Sequence, residues 1–310
     1  MGELHAESGD LNRRRESSGV PAPMTPQRAL LARRLRDLRA AAFPSGSALA
    51  RQLQANHPDS RWHQTRVSKL ETGMQRPTEA DIRQWAAATG ATDDRTDELL
   101  ELLSASRVEY ATFGQLYRRH GSALADQAAT SAQDAETIRI TEFQPSMMPG
   151  LVQTAAYARE VLSLPCGPSS RGVSAEEIEA LVGERIKRQQ VLYQTGKKIQ
   201  LVMGEAALHV RFGPPETMLG QLDRLATVAG LAGVEVGVVP FSTPFPVYPL
   251  TDFILYDDFV LIESITAQQR LEGADEVALY ERFFDQLLGT AATGDDAVAL
   301  IQRVAAGLRG

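Results

Sequence analysis

The segment from Trp62 to Gly73 reads WHQTRVSKLETG and decides the fold of the N-terminal part of the chain. Val67 and Leu70 lie three positions apart, which is the spacing of one helical face. Gly73 suits the position at which a helix ends. The other side chains are mostly polar or cationic. The segment therefore predicts a helix over about Gln64–Thr72 that packs on one side and presents a polar surface on the other.

Apolar residues at helical spacing predict four further helices around this segment. Thr78 and Asp81 resemble a capping box at the start of one of them, with Asp in place of Glu. Ser45 or Ser47 is expected to cap another. The predicted neighbours run from Pro26 to about Phe43, Ala48–Gln54, Thr78–Thr89 and about Arg95–Arg107. Five short helices predict an all-α domain over residues 24–107.

The polar side of the Gln64–Thr72 helix suits base readout in the major groove of DNA. Glutamine pairs with adenine edges and arginine with guanine edges, so we expect Gln64 and Arg66 to contact bases. We expect Lys69 and Arg76 to contact phosphates, and alanine at both Gln64 and Arg66 to abolish specific binding while the fold stays intact. The predicted DNA-binding residues are Ser47, Arg61, His63, Gln64, Thr65, Arg66, Ser68, Lys69 and Arg76.

Several nearby residues have two interpretations. The arginines at 33, 34, 36 and 39 either form a solvated helix face or contact phosphates. Trp62 and Trp85 have the chemistry to stack on bases, but at helix boundaries we expect them in the core.

The order Val-Ser-Lys-Leu-Glu-x-Gly-x-x-x-Pro from Val67 to Pro77, preceded by Ala48-Leu49-Ala50, resembles the helix-turn-helix of the Xre/Cro repressor family. The resemblance covers about residues 27–105. It implies that the second motif helix enters the major groove, commonly from a homodimer on double-stranded DNA. The family usually makes a tight turn between the two helices, often with glycine. Here residues 51–61 intervene, and we interpret them as an inserted loop.

Charge is distributed unevenly along the chain. The whole sequence has 32 Lys/Arg and 39 Asp/Glu, a net charge of −7. Between Met1 and Arg76, however, 13 basic residues face 7 acidic ones, whereas the remainder has 19 and 32. A basic N-terminal part predicts polyanion binding. The acidic remainder is expected to repel phosphates and to suit a basic partner protein.

Cysteine, histidine and hydropathy patterns exclude several classes of protein. The single cysteine, Cys166, rules out an intramolecular disulfide and a cysteine-cluster zinc site, and the five histidines have no paired spacing. We predict neither a metal nor a cofactor. Met1–Pro23 has no apolar stretch, and the longest charge-free stretches have 16 residues interrupted by prolines. We expect a cytoplasmic, nucleoid-associated protein.

The rest of the chain predicts a multidomain protein whose second domain is mixed α/β (α+β). We expect a disordered tail over 1–23, a helical connector over 108–135, and a domain over 136–310 with a small central sheet and C-terminal helices. The predicted strands are Thr137–Phe143, Ile199–Met203, Val234–Pro240, Phe253–Tyr256 and Val260–Ile265.

Four stretches of this second domain carry another resemblance. They are Phe143–Ala158, Glu184-Arg185-x-x-Arg188-Gln189, Glu205-Ala206-Ala207-Leu208 and Val236–Phe241. They resemble actinobacterial regulators such as the WhiJ-like developmental regulators of Streptomyces, which join an Xre-type helix-turn-helix to an uncharacterised domain. The resemblance implies a transcriptional regulator, and in that family a small partner protein is often encoded nearby.

The role of the second domain stays open between three alternatives. Sensing a small-molecule effector and capturing a small basic partner, as an antitoxin does, are both compatible with the sequence. Catalysis is the third: Glu205 and His209 are one helical turn apart, and Glu263 ends a candidate strand, so a pocket joining them would favour acid–base chemistry. Without a nucleophile motif, we expect no enzyme. We also expect Cys166 to be incidental and the regulator to be a repressor.

Overall fold

A computed structural model describes residues 25–248 and 251–309, so the tail predicted for 1–23 lies outside the described residues. The chain divides into an N-terminal unit that ends at Ser106 and a C-terminal unit that begins at Arg107. Within the described residues, no helix has the length and apolarity needed to cross a bilayer.

The described part of the N-terminal unit contains the five predicted helices. They are α1 Pro26–Ala42, α2 Gly46–Asn56, α3 Gln64–Glu71, α4 Glu79–Thr89 and α5 Asp93–Ala105. A side chain caps the N-terminus of each, and Thr78 with Asp81 forms the predicted capping box at α4. Trp62 and Trp85 are buried in the core with leucines from α1, α2 and α5, and their rings meet edge to face. The all-α prediction is therefore confirmed.

The connection between α2 and α3 differs from the predicted inserted loop. Helix α2 continues to Asn56, and Pro58–Ser60 form one 3₁₀ turn before α3. No proline or glycine interrupts the chain between Ser47 and His57, so the helix extends until Pro58 removes a backbone donor. Most of residues 51–61 therefore lengthens a helix. The cap of α2 is Ser45, whose Oγ accepts from the Ala48 amide at 3.2 Å, and not Ser47.

The C-terminal unit is built on a mixed sheet of eight strands among the described residues. The strands are β1 Val108–Thr112, β2 Arg139–Gln144, β3 Lys198–Gly204, β4 Val234–Val239, β5 Phe253–Tyr256, β6 Phe259–Glu263, β7 Ala267–Leu271 and β8 Ala292–Thr293. Their order in the sheet is β1-β7-β6-β5-β2-β3-β4-β8. The neighbours β2, β3 and β4 are parallel, and the other pairs are antiparallel.

Helices cover both faces of this sheet. They are α6 Phe113–His120, α7 Ala123–Glu136, α8 Ala155–Leu162, α9 Ala175–Arg188, α10 Ala206–His209, α11 Pro215–Val228, α12 Ala274–Thr290 and α13 Gly294–Arg309. On β3, Leu201 and Met203 join the core that includes α11 and α13 residues, whereas Val202 joins the core that includes α12 residues. The alternation follows from the strand period of two. The predicted fold class, with C-terminal helices, is confirmed.

The segment predicted as a helical connector is part of the C-terminal unit. Val108–Thr112 is a strand that pairs antiparallel with Ala267–Leu271, and only the following residues are helical. Val108, Tyr110 and Thr112 are residue types that favour strands, but their partner strand lies more than a hundred positions later in the sequence. In addition, Gln127 of α7 donates to the Leu181 carbonyl of α9, which fastens α7 to this unit.

Candidate nucleic-acid interface

Helix α3 has one buried side and one exposed side, as its sequence predicts. Val67 and Leu70 are at most 1% exposed and pack into the core of the N-terminal unit. The opposite side presents exposed polar residues at the predicted positions. The exposed members of the predicted set on and just before α3 are Arg61, His63, Gln64, Thr65, Ser68 and Lys69. His63 also caps the helix, because its Nδ1 accepts from the Arg66 amide at 3.2 Å.

Arg66 has a different role from the predicted base contact. Its Nη2 donates to Asp81 Oδ1 at 2.8 Å, its Nη1 donates to the Ser60 carbonyl, and its guanidinium lies 4.5 Å from the centre of the Trp62 ring. The side chain is only 20% exposed. Because Arg66 stands one position before Val67, it reaches back towards α4 and not outwards. These contacts favour a positioning role for Arg66, and its contact with a base stays a prediction.

A second set of bonds holds the connection that leads into α3. The indole of Trp62 donates to Gln84 Oε1 at 2.7 Å, and Gln84 Nε2 donates to Ser60 Oγ at 3.1 Å. The Ser60 carbonyl also accepts from Arg66. Residues before α3 are thus tied to α4 through both side chains and backbone, which fixes the N-terminal end of α3.

The C-terminal end of α3 is held by two arginines of α1. Arg39 forms a bidentate ion pair with the Glu71 carboxylate, at 2.7 and 3.1 Å, and Arg36 donates to the Glu71 carbonyl at 2.6 Å. The bidentate pair has defined geometry as well as charge. Arg34 meets Glu98 of α5 at 3.5 Å. Of the arginines at 33, 34, 36 and 39, three therefore make intramolecular hydrogen bonds or ion pairs, and Arg33 and Arg36 are the exposed ones.

The other residues predicted to contact DNA differ in how exposed they are. Ser47 is half-buried near the start of α2. Arg61 is exposed and adopts a left-handed backbone conformation with φ of 48°, a region that favours glycine. Arg76 is half-buried and donates to the Ser106 carbonyl at 3.1 Å, so it joins the end of α5 to the segment before α4. The phosphate contact of Arg76 stays a prediction.

Two features of this surface were missed from the sequence. Arg51 on α2 is exposed, and no sequence pattern distinguishes it from the other cations. Gly46 begins α2, and a Cβ built there would lie 3.2 Å from Val67 Cγ1 of α3. The small residue therefore permits α2 and α3 to approach closely. The Gly-Ser pair before an apolar helix was the available signal.

The sequence matches two families, and each match lies in one of the two units. Residues 30–99 match the family described as a helix-turn-helix domain, so the N-terminal unit carries that domain. Residues 127–303, more than half of the chain, match the domain of unknown function DUF5753. The chain belongs to the DUF5753 family. No curated protein matches the sequence.

One of the solved structures to which this DUF5753 protein is similar is TrmBL2. TrmBL2, described as an archaeal chromatin protein with a novel mode of DNA binding, is 13% identical, and the match covers 69% of this chain and 68% of TrmBL2. The TM-score is 0.29, a value too low for any conclusion about the present chain.

The candidate catalytic residues of the DUF5753 domain do not come together. Glu205 lies 3.4 Å from His209 Nε2 and accepts from the Phe241 amide at 2.7 Å, and the His209 ring stacks on Phe241. Glu263 instead lines a cavity that neither Glu205 nor His209 lines. Cys166 is a free, exposed thiol beside that cavity. The arrangement on which the catalytic alternative depended is therefore not formed.

Proposed function

We propose that this DUF5753 protein is a sequence-specific DNA-binding transcriptional regulator that reads its operator with α3. The observation that carries the proposal is the exposed polar side of α3 on a helix held at both ends. Asp81 and Gln84 fix the N-terminal end through Arg66 and Trp62, and Arg39 fixes the C-terminal end through Glu71. A fixed helix loses little conformational freedom when it enters a groove, which favours binding.

Within this proposal the exposed residues of α3 have separate roles. Gln64 and Ser68 lie four positions apart and share a face, so they are suited to contact base edges, with glutamine directed to adenine. Lys69 is suited to a phosphate, which sets the register of the protein without specifying sequence. Arg61 and Arg51 supply two further exposed cations for the backbone.

The rest of the proposal concerns assembly and regulation. We propose a cytoplasmic homodimer that acts as a repressor on a palindromic operator, as in the Xre and WhiJ-like regulators that the sequence resembles. For the C-terminal unit we propose a binding role and not catalysis, either for a small effector or for a small partner protein. The separation of Glu263 from Glu205 and His209 supports this choice.

The proposal is tested by selecting DNA from a random-sequence duplex library with the full-length protein. A motif should emerge, and the variant Gln64→Ala with Ser68→Ala should lose about 10-fold or more of the affinity for it, because one good base contact contributes about 1–3 kcal/mol.

The matched control is Gln52→Ala, an exposed glutamine of α2 whose amide bonds only to Asn56, at 3.1 Å. This control should bind like the wild type. Failure to enrich any motif, or equal affinity of the double variant, would contradict the proposal.

A further inference from the structure

The C-terminal unit contains a cavity of about 500 Å³ between the sheet and its helices, and this cavity is partly open to solvent. Residues of β2, β5 and β6 form one wall, and residues of α7 and α9 form another. Cavities of roughly 300–1,000 Å³ are typical binding sites for small organic molecules. Two of the stretches noted in the sequence, Phe143–Ala158 and Glu184–Gln189, contribute residues to the same cavity and meet where Arg185 donates to Gln153.

Glu142 on β2 brings an unpartnered carboxylate oxygen to this cavity. The residue is 1% exposed, and its Oε1 accepts from Gln144 Nε2 at 3.0 Å. Its Oε2 is buried and has no hydrogen-bond partner. Burial raises the pKa of Glu142 to about 7. A buried carboxylate oxygen without a donor is unfavourable, and this one lines space large enough for a ligand to supply the donor.

Arg185 on α9 brings an unpartnered donor to the same cavity. Its Nη1 donates to Gln153 Oε1 at 2.9 Å, but its Nε is buried and has no partner. Burial, together with the positive charge of Arg188, lowers the pKa of Arg185 to about 10. Both Glu142 and Arg185 have atoms free to bond, yet no ion pair or hydrogen bond joins them in the described structure.

The neighbouring Arg188, which lines the same cavity, is paired within the protein. Arg188 Nε donates to Asp134 Oδ2, and Tyr256 donates to Asp134 Oδ1 at 2.9 Å. Asp134 is fully buried, and its carboxylate is satisfied on both oxygens. The charge of Arg188 is therefore already neutralised within the protein, and a ligand is not needed there.

Further charged side chains at Asp126, Arg171, Arg188, Asp252 and Glu263 also line this cavity, and apolar side chains complete it. Met147, Met148, Leu162, Ile254 and Leu261 all line it. Methionine is a flexible side chain that adapts to ligands of varied shape. The cavity is thus lined by an acceptor, a cationic donor and apolar side chains.

We propose that this cavity binds an apolar molecule that carries both an ammonium group and a carboxylate, as an amino acid or a short peptide does. The ammonium donates to Glu142 Oε2 and the carboxylate accepts from Arg185. A molecule with only one of these groups leaves the other buried partner unpaired, so the site selects for the pair. The view that this ligand is the effector rests on the proposed function, whereas its binding does not involve DNA.

The test is calorimetric titration of the full-length protein, without DNA, against a panel of apolar L-amino acids and their dipeptides. Each panel member is accompanied by its desamino and its decarboxylated analogue. Glu142→Gln keeps the shape of the side chain and removes its charge, and Arg185→Lys keeps the charge and removes the Nε donor. Glu176→Gln and Lys187→Gln are matched controls, because both residues are exposed on α9 and neither lines the cavity.

At least one zwitterionic panel member should bind the wild type and both controls. Its affinity should fall about 10-fold or more in Glu142→Gln and in Arg185→Lys, the loss expected for one charge-assisted hydrogen bond. The inference is overturned if no panel member binds the wild type, if both cavity variants bind as the wild type does, or if either analogue binds equally well. None of these outcomes depends on DNA binding, so the proposed function can fail or stand separately.

Discussion

Replacement of Arg66 by alanine should destabilise the N-terminal unit. The variant loses a charge-assisted hydrogen bond to Asp81, whose loss costs about 1.5–3 kcal/mol. It also loses the stacking of the guanidinium on Trp62, which contributes about 0.5–1 kcal/mol. Asp81 is then left 4% exposed without its cation. Because the Arg66 side chain is 20% exposed, solvent reduces these values, and we expect a total loss of about 2–3 kcal/mol.

Urea unfolding followed by tryptophan fluorescence measures this loss directly. Both tryptophans of the chain, Trp62 and Trp85, are buried in the N-terminal unit, so the signal reports that unit alone. The control is Gln64→Ala, an exposed residue of the same helix, for which we expect a change within about 0.5 kcal/mol. Combination with Asp81→Ala should show a coupling of about 1 kcal/mol or more.

A free energy of unfolding for Arg66→Ala within about 0.5 kcal/mol of the wild type would refute the reasoning. It would also favour the original prediction that Arg66 contacts guanine. The same result with no coupling to Asp81→Ala would show that the ion pair contributes nothing to stability.

Three further perturbations follow from the same structure. Because burial raises the pKa of Glu142 from 4.5 to about 7, folding favours its protonated form, and stability is lost as pH rises through that interval. The free energy of unfolding of Glu142→Gln, relative to that of the wild type, should therefore rise by up to about 3 kcal/mol between about pH 5 and about pH 8. Urea unfolding followed by circular dichroism measures this difference, and an equal difference at both pH values would contradict the prediction. Gly46→Val should crowd Val67 Cγ1, and we therefore expect weaker operator binding and a lower midpoint of unfolding. Unchanged affinity would show that α2 and α3 adjust freely. Arg61→Gly should relieve the left-handed backbone and leave stability equal or up to about 1 kcal/mol higher, in contrast to Arg61→Val, which should be less stable than both.

The helices of the N-terminal unit were predictable because their signals are local. Val67 and Leu70 mark the buried side of α3 by spacing alone, and Thr78 and Asp81 mark the cap of α4. The role of Arg66 was not predictable in this way. Its partner Asp81 lies 15 positions away on another helix, and nothing in the sequence distinguishes an arginine that bonds to a cap from one that faces DNA.

In the C-terminal unit, too, features that depend on residues far apart in the sequence were not predictable. Strands β3 and β4 are largely apolar, and β2 has apolar residues at Ile140 and Phe143, so these parallel strands could be found one by one. Strand β1 depends on pairing with β7, which is more polar and lies far along the chain. The cavity depends on Glu142 and Arg185 reaching one space from a strand and a helix 43 positions apart in sequence. No local sequence pattern predicts that these two residues line one cavity.

The most direct test of the account is a change of specificity at Gln64. DNA selection is carried out in parallel with the wild type and with Gln64→Arg, an exposed position where the substitution should leave the fold unchanged. If α3 reads the operator, one position of the selected motif should change from adenine to guanine, because arginine pairs with guanine edges and glutamine with adenine edges. Selection of the same motif by both proteins would contradict the claim that this side of α3 contacts bases.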